Sequence, residues 1–192
     1  MSKKNFDIYL DLGSKKLSIG AFEKFDSHNI FFKEYDCETN LNKNKLNFEN
    51  VKKTIEKNIF EIEKKTGEFL EDIYLMVETP ESISINLSLL KNNEGKKIEK
   101  KNVQYLIQDA KQQILRNYHN EKIIHVIVAN YLIDNTSYNY LPLNLNCNKF
   151  SIDIKFICFP KNLIKKLEEL FNSHQIFINK FICTHYAKSF ME

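Results

Sequence analysis

Asp7-Ile8-Tyr9-Leu10-Asp11-Leu12-Gly13-Ser14-Lys15-Lys16-Leu17-Ser18-Ile19-Gly20 reads as a strand, a tight turn holding an acid, a glycine and a hydroxyl, and then a second strand. An acid that closes a strand beside a Gly-Ser turn can orient a hydrated metal ion while the turn's N–H groups face a phosphate. Such a turn is half of a nucleotide site. A plain hairpin turn accounts for the same residues, so the surrounding chain has to decide between the two.

Working outward, Phe6 to Leu12, Leu17 to Phe25 and Ile30 to Tyr35 are apolar-rich runs parted by short polar turns, the pattern of an antiparallel meander. A polar loop at Glu38 to Asn47 follows. Val51, Ile55, Ile59 and Ile62 then fall at helical spacing with Gly67 as the stop, and Ile73 to Val77 is a short continuous apolar run of the kind a central parallel strand gives. The next segment changes period. Ile83, Ile85, Leu87 and Leu89 alternate with Ser82, Ser84, Asn86 and Ser88, so one face of a strand is wet and a new sheet begins. Val103, Leu106, Ile107, Ala110 and Ile114 stripe a helix, and Ile123 to about Ile133 is a strand. An Asn-rich loop with Pro142 leads to a second alternating strand through Phe150, Ile152, Ile154, Phe156 and Cys158.

From Pro160 the helix and strand rhythm resumes: Leu163, Leu167, Leu170 and Phe171 line a helix, Gln175 to Ile178 form a strand, and Thr184 to Met191 a last helix. Two domains follow from this order. Residues 1–80 with 160–192 give β-β-β-α-β-α-β-α, an α/β ribonuclease-H-like half-domain of the actin-type ATPases, and residues 81–159 give an inserted α+β unit, β-α-β-β.

Composition narrows the chemistry. The 192 residues carry 43% apolar residues, with 15 Phe and 9 Tyr, enough for a real core. Net charge is only +3, and Arg116 is the one arginine among the cations. The bidentate readers of bases and phosphates are missing, and nucleic acid is not an expected partner. Cys37, Cys147, Cys158 and Cys183 form neither a C-x-x-C pair nor a regular framework, and no signal peptide precedes them, which fits a reducing cytosol. The longest apolar runs fall far short of the roughly 20 residues of a membrane span, so no direct membrane anchor is expected.

With these elements in place, the chain resembles the N-terminal half of the bacterial actin-like cell-division protein FtsA. Tyr9 to Leu17 is similar to that family's first phosphate loop, in which an Asp, a Gly and a Thr or Ser precede a Lys. Ile73-Tyr74-Leu75-Met76-Val77 resembles the strand before the family's inserted subdomain, and His125-Val126-Ile127 with Tyr131-Leu132-Ile133-Asp134 is similar to a His-Val-Ile segment followed by Tyr-x-Ile-Asp. Phe181 to Ser189 resembles the helix leading into the family's second half. The resemblance implies subdomain 1A for the half-domain and an SHS2-type subdomain 1C for residues 81–159. Three glycine-bearing segments of the family lack glycine here: Glu38 to Asn47, Glu78-Thr79-Pro80, and Asn135 to Asn148.

The resemblance further implies a relic phosphate loop at Asp11, Gly13, Ser14, Lys15 and Lys16, with Asp11 meeting a metal ion through water. These residues include no second Asp-x-Gly-Gly, no further glycine-rich segment and no C-terminal amphipathic membrane helix. The expectation is therefore a one-walled site with no catalytic residue, no ATP hydrolysis and no cofactor held by this chain alone. ATP and Mg are expected only where a second half completes the cleft. The expected role is a truncated FtsA-like scaffold of the divisome and septum. It would be cytoplasmic, recruited to the inner face of the membrane, and would contact division proteins or itself through residues 81–159. The implied FtsZ surface lies in the unmatched half and leaves FtsZ open as a partner. Two alternatives stand beside this: half of an actin or sugar-kinase superfamily ATPase or phosphotransferase completed by a second polypeptide, and a PilM-like pilus-assembly protein.

Other residues have blander readings. A ribonuclease-H-type nuclease would need acids beyond Asp11, with Glu23 and Asp26 the available ones. His125 inside an apolar strand reads as a core histidine rather than a base. Cys183-Thr184-His185 lacks a second ligand pair for a metal, and Lys91 to Lys101 reads as a solvated turn. Leu163 to Phe171 mimics a membrane-surface helix, but flanking strands favour core packing.

Overall fold

The computed structural model describes residues 6–13, 16–25, 28–36, 40–41 and 45–190. They divide into two compact units, Met1–Glu81 with Asn162–Glu192, and Ser82–Lys161.

The first unit is built on a five-stranded sheet. β1 (Phe6–Leu12), β2 (Lys16–Glu23) and β3 (Asn29–Asp36) form the expected antiparallel meander. β6 (Asp72–Val77) then pairs parallel to β1, and β11 (Phe177–Cys183) parallel to β6, giving the order β11-β6-β1-β2-β3. Strict alternation in β1 buries Phe6, Ile8, Leu10 and Leu12 on one face and leaves Asp7, Tyr9 and Asp11 half-buried on the other. α1 (Phe48–Thr66) begins where the Asn47 side chain accepts the Asn50 N–H and ends at Gly67, whose φ of 74° closes the helix in the left-handed region. It buries Val51, Ile55 and Ile62. α3 (Lys161–Asn172) buries Leu163, Ile164, Leu167 and Phe171, and its Lys166 ammonium lies 5.8 Å from the Phe48 ring centre of α1. That is core packing, with the lysines outside. The polar loop expected between β3 and α1 contains a small hairpin, β4 (Asn40–Leu41) with β5 (Lys45–Leu46). The last strand also starts later and runs further than the periodicity predicts, because Lys180 and Asn179 interrupt the apolar pattern at a bulge and Phe181 to Cys183 continue the ladder.

The second unit carries a four-stranded sheet in the order β7-β10-β8-β9. Its long strands are β7 (Ile83–Asn92), β8 (Glu121–Ile133) and β10 (Lys149–Pro160), all antiparallel. The short β9 (Thr136–Tyr138) folds back on the end of β8 through Asp134 and Asn135, both at positive φ, and adds a fourth strand to the three expected. α2 (Lys100–Asn117) buries Val103, Leu106, Ala110 and Ile114 in a core shared with Phe150, Ile152, Ile154 and Phe156 of β10. His125 sits half-buried in β8 opposite Ile157.

Leu12 is fully buried in the central strand of the first sheet. Leu12→Ala should cost about 2–5 kcal/mol of that unit's stability, read as a lowered urea midpoint at unchanged slope.

Candidate functional site

Three parallel strands of the first unit end in one row, since Leu12 is registered with Val77 and Val77 with Cys183. The residues that come next, Gly13, Glu78 and Thr184, therefore share the carboxyl rim of the sheet, where parallel α/β sheets collect their ligands. The Glu78 N–H closes this rim by donating to the Leu12 carbonyl at 3.2 Å.

Asp11 is the acid at this rim. Its Oδ1 accepts a hydrogen bond from the Thr184 hydroxyl at 2.9 Å, across 173 residues of sequence. Thr184 is fully buried at the start of the short helix α4 (Thr184–Lys188), so its hydroxyl needs this acceptor. Burial pushes the Asp11 carboxyl above its usual range; the Thr184 bond and the Lys188 ammonium pull it back, and the Glu78 charge adds to the rise. Glu78 lies 3.8 Å from the Lys188 ammonium and 4.0 Å from the His185 Nε2. The arrangement is a small network of acids and bases tying the ends of β1 and β6 to α4.

Space is short at Gly13. A Cβ there would lie 3.2 Å from the Lys16 carbonyl oxygen, whereas the glycines at positive φ are Gly67 and Gly95. Lys16 is turned to its own sheet, with its ammonium 2.7 Å from Glu34 on β3. Ser14 and Lys15 lie outside the described residues. Of the expected phosphate-loop residues, Asp11 and Gly13 stand at the rim, and Lys16 is committed to a neighbouring strand.

The competing readings separate on geometry. Glu23 pairs with Phe6 at the far end of β1, while Asp11 pairs with Ser18, so the second acid of a nuclease is not beside the first. Asp26 lies outside the described residues. Cys183 is buried and His185 exposed, and among the described residues no group of three or more His, Cys, Asp or Glu side chains is placed to hold a metal ion. The Lys91 to Lys101 turn is satisfied locally: the Lys91 ammonium lies 5.7 Å from the Tyr105 ring centre and Lys96 pairs with Glu94. The residues that sequence reading missed are Glu78, Thr184 and Lys188. Only their position immediately after a parallel strand, or one helical turn further on, signals them.

Residues 81–158 match the family model described as the SHS2 domain inserted in FtsA. Among solved structures, the chain is similar to the PilM-PilN type IV pilus biogenesis complex, with a TM-score of 0.62 and 7% identity over 96% of this chain and 49% of that chain. It is also similar to the cytoplasmic domain of EpsL, an inner membrane component of the type II secretion system of Vibrio cholerae (TM-score 0.43, 6% identity, 93% and 56% covered). A third likeness is to a Bacteroides thetaiotaomicron protein with an actin-like ATPase fold and unknown function (TM-score 0.36, 14% identity, 93% and 52% covered). No curated protein sequence matches the chain. The chain spans about half the length of the structures it resembles. The resemblance to FtsA drawn from the sequence thus holds, resting on the SHS2 domain itself, and the fold is shared with PilM.

Because burial is the largest influence on Asp11, its ionised form is less stable in the folded chain than in the unfolded one. Asp11→Asn keeps an oxygen for Thr184 and removes the charge, and should raise the melting temperature at pH 7. As pH falls through the raised pKa the wild-type carboxyl protonates and the advantage should shrink; thermal melts from neutral pH to about pH 3, past the ordinary carboxylate range, read this directly. A lower melting temperature for the variant at pH 7 would contradict the assignment.

Proposed function

We propose that this chain acts through protein contacts, as an FtsA-like scaffold of the division machinery that works at the cytoplasmic face of the membrane without turning over ATP. The observation that carries this reading is the SHS2 match over residues 81–158, which covers the inserted unit. That unit has a sheet with its core-facing side under α2 and rows of exposed Ser and Asn on β7, a surface suited to contact rather than catalysis.

The rim of the first unit supports the same reading. The Asp11 carboxylate is engaged by Thr184 and the Lys16 ammonium by Glu34, so a phosphate or hydrated cation would have to displace existing partners. Net gain per contact exchanged in this way is small. No helix among the described residues is long and apolar enough to cross a membrane. Division proteins, a second copy of the chain and FtsZ are the partners this reading puts to the test.

Calorimetry of the full chain with Mg-ATP should show binding weaker than millimolar, and an immobilised chain should retain itself or a purified division protein, with FtsZ, whose implied surface lies in the unmatched half, left open. Micromolar Mg-ATP binding would favour instead an ATPase or phosphotransferase completed by another polypeptide. A PilM-like role is the second reading, favoured by the shared fold at a TM-score of 0.62. Binding of a PilN-type peptide, with no retention of division proteins, would support it.

A further inference from the structure

The outer strands of the two sheets are protected unequally. β3 places Lys33, Glu34 and Asp36 along its length, and β11 carries Lys180 and a bulge between Ile178 and Lys180. β8 extends beyond the short β9 and is interrupted by register shifts near Ala129 and Ile124. Charges, bulges and short lengths are the usual devices that stop a sheet edge from pairing with another chain. β7 is neither short nor bulged, and its one charge, Lys91, lies at its end beside the Tyr105 ring. It is an outer strand in unbroken register with β10 from Ile83 to Asn92, and from Ile83 to Leu90 it holds no charge, no proline and no glycine.

The same run has a two-fold pattern. Around Asn86 the residues read Ile83-Ser84-Ile85-Asn86-Leu87-Ser88-Leu89, so apolar answers apolar and serine answers serine on either side. In an antiparallel pair, directly opposite residues share one face of the sheet, and a two-fold axis through Asn86 would set Ser84 against Ser88, Ile85 against Leu87 and Ile83 against Leu89. The polar row, Ser84, Asn86 and Ser88, is exposed, and Ile83, Ile85, Leu87 and Leu89 pack against the core of their own unit. The self-complementary run is Ile83 to Leu89, because the strand begins at Ile83. Moving the axis to Leu87 instead sets Ile83 against Lys91, and any odd shift sets apolar against polar.

We infer that β7 pairs with β7 of a second copy of this chain, antiparallel and centred on Asn86, joining the two four-stranded sheets into one. A closed two-fold contact of this kind consumes the open edge of both copies and leaves none for further growth. This deepens the contact role proposed above for residues 81–159 and rests on it.

Sedimentation velocity of the full chain over a concentration series should show a monomer–dimer equilibrium. Asn86→Lys puts like charges on the axis and should weaken the dimer at least tenfold with an unchanged melting temperature. Asn86→Cys should form a disulfide-linked dimer under mild oxidation, because directly opposite strand residues have Cα atoms about 4.5–5.5 Å apart, within disulfide reach. Ser84→Cys alone should not cross-link to itself, but mixed with Ser88→Cys it should. A chain that stays monomeric, or a dimer indifferent to Asn86→Lys and silent in both cross-links, overturns the pairing. Retention of a division protein by such a chain would leave the scaffold reading standing, whereas loss of every contact would remove both.

Discussion

The row formed by Leu12, Val77 and Cys183 is the constraint on which the first unit's rim depends. Parallel strands advance in step, so once these three residues are in register, whatever follows each of them is delivered to the same end of the sheet. That is how Asp11, Glu78 and Thr184, far apart in the chain, come to form one network. Its central hydrogen bond joins a half-buried carboxylate to a fully buried hydroxyl, and each group supplies what the other lacks after desolvation. Removing one partner would leave the other unsatisfied, so the rim is stable as a closed set.

That closure shapes what the rim can do. Among the described residues, the Asp11 carboxylate accepts from Thr184, Glu78 lies beside Lys188, and the Lys16 ammonium pairs with Glu34 on β3. The inserted unit presents the opposite case. Its core is completed by α2 and the even-numbered residues of β10, while the backbone of β7 has a partner on one side only. Unmet backbone hydrogen-bonding capacity on a neutral, regular strand is a surface waiting for another strand.

Much of this was legible in the residues. The meander, α1 with its Gly67 stop, the central parallel strand, the two alternating strands of the insertion and α2 all follow from hydrophobic period and from one glycine, because those signals are local and strong. The misses are equally physical. β9 and the β4–β5 hairpin are only two or three residues long per strand and carry no period to read. β11 was displaced because Asn179 and Lys180 break the alternation at a bulge. At Gly13 nothing in the sequence signals that a Cβ would come within 3.2 Å of the Lys16 carbonyl oxygen. At the rim, Asp11 stood out from its turn, while Thr184 and Glu78 have no local motif and Lys16 gave no sign that Glu34 would claim it.

The sequence by itself determined the class of fold, the insertion's distinct character and the neutral, two-fold pattern of Ile83 to Leu89, since each is a matter of which residues alternate with which. Only the tertiary structure decided what the acid at position 11 does. A carboxylate's behaviour depends on its desolvation and its nearest charges, and those come from Thr184, Lys188 and Glu78, brought alongside by strand register across distances that no sequence window spans.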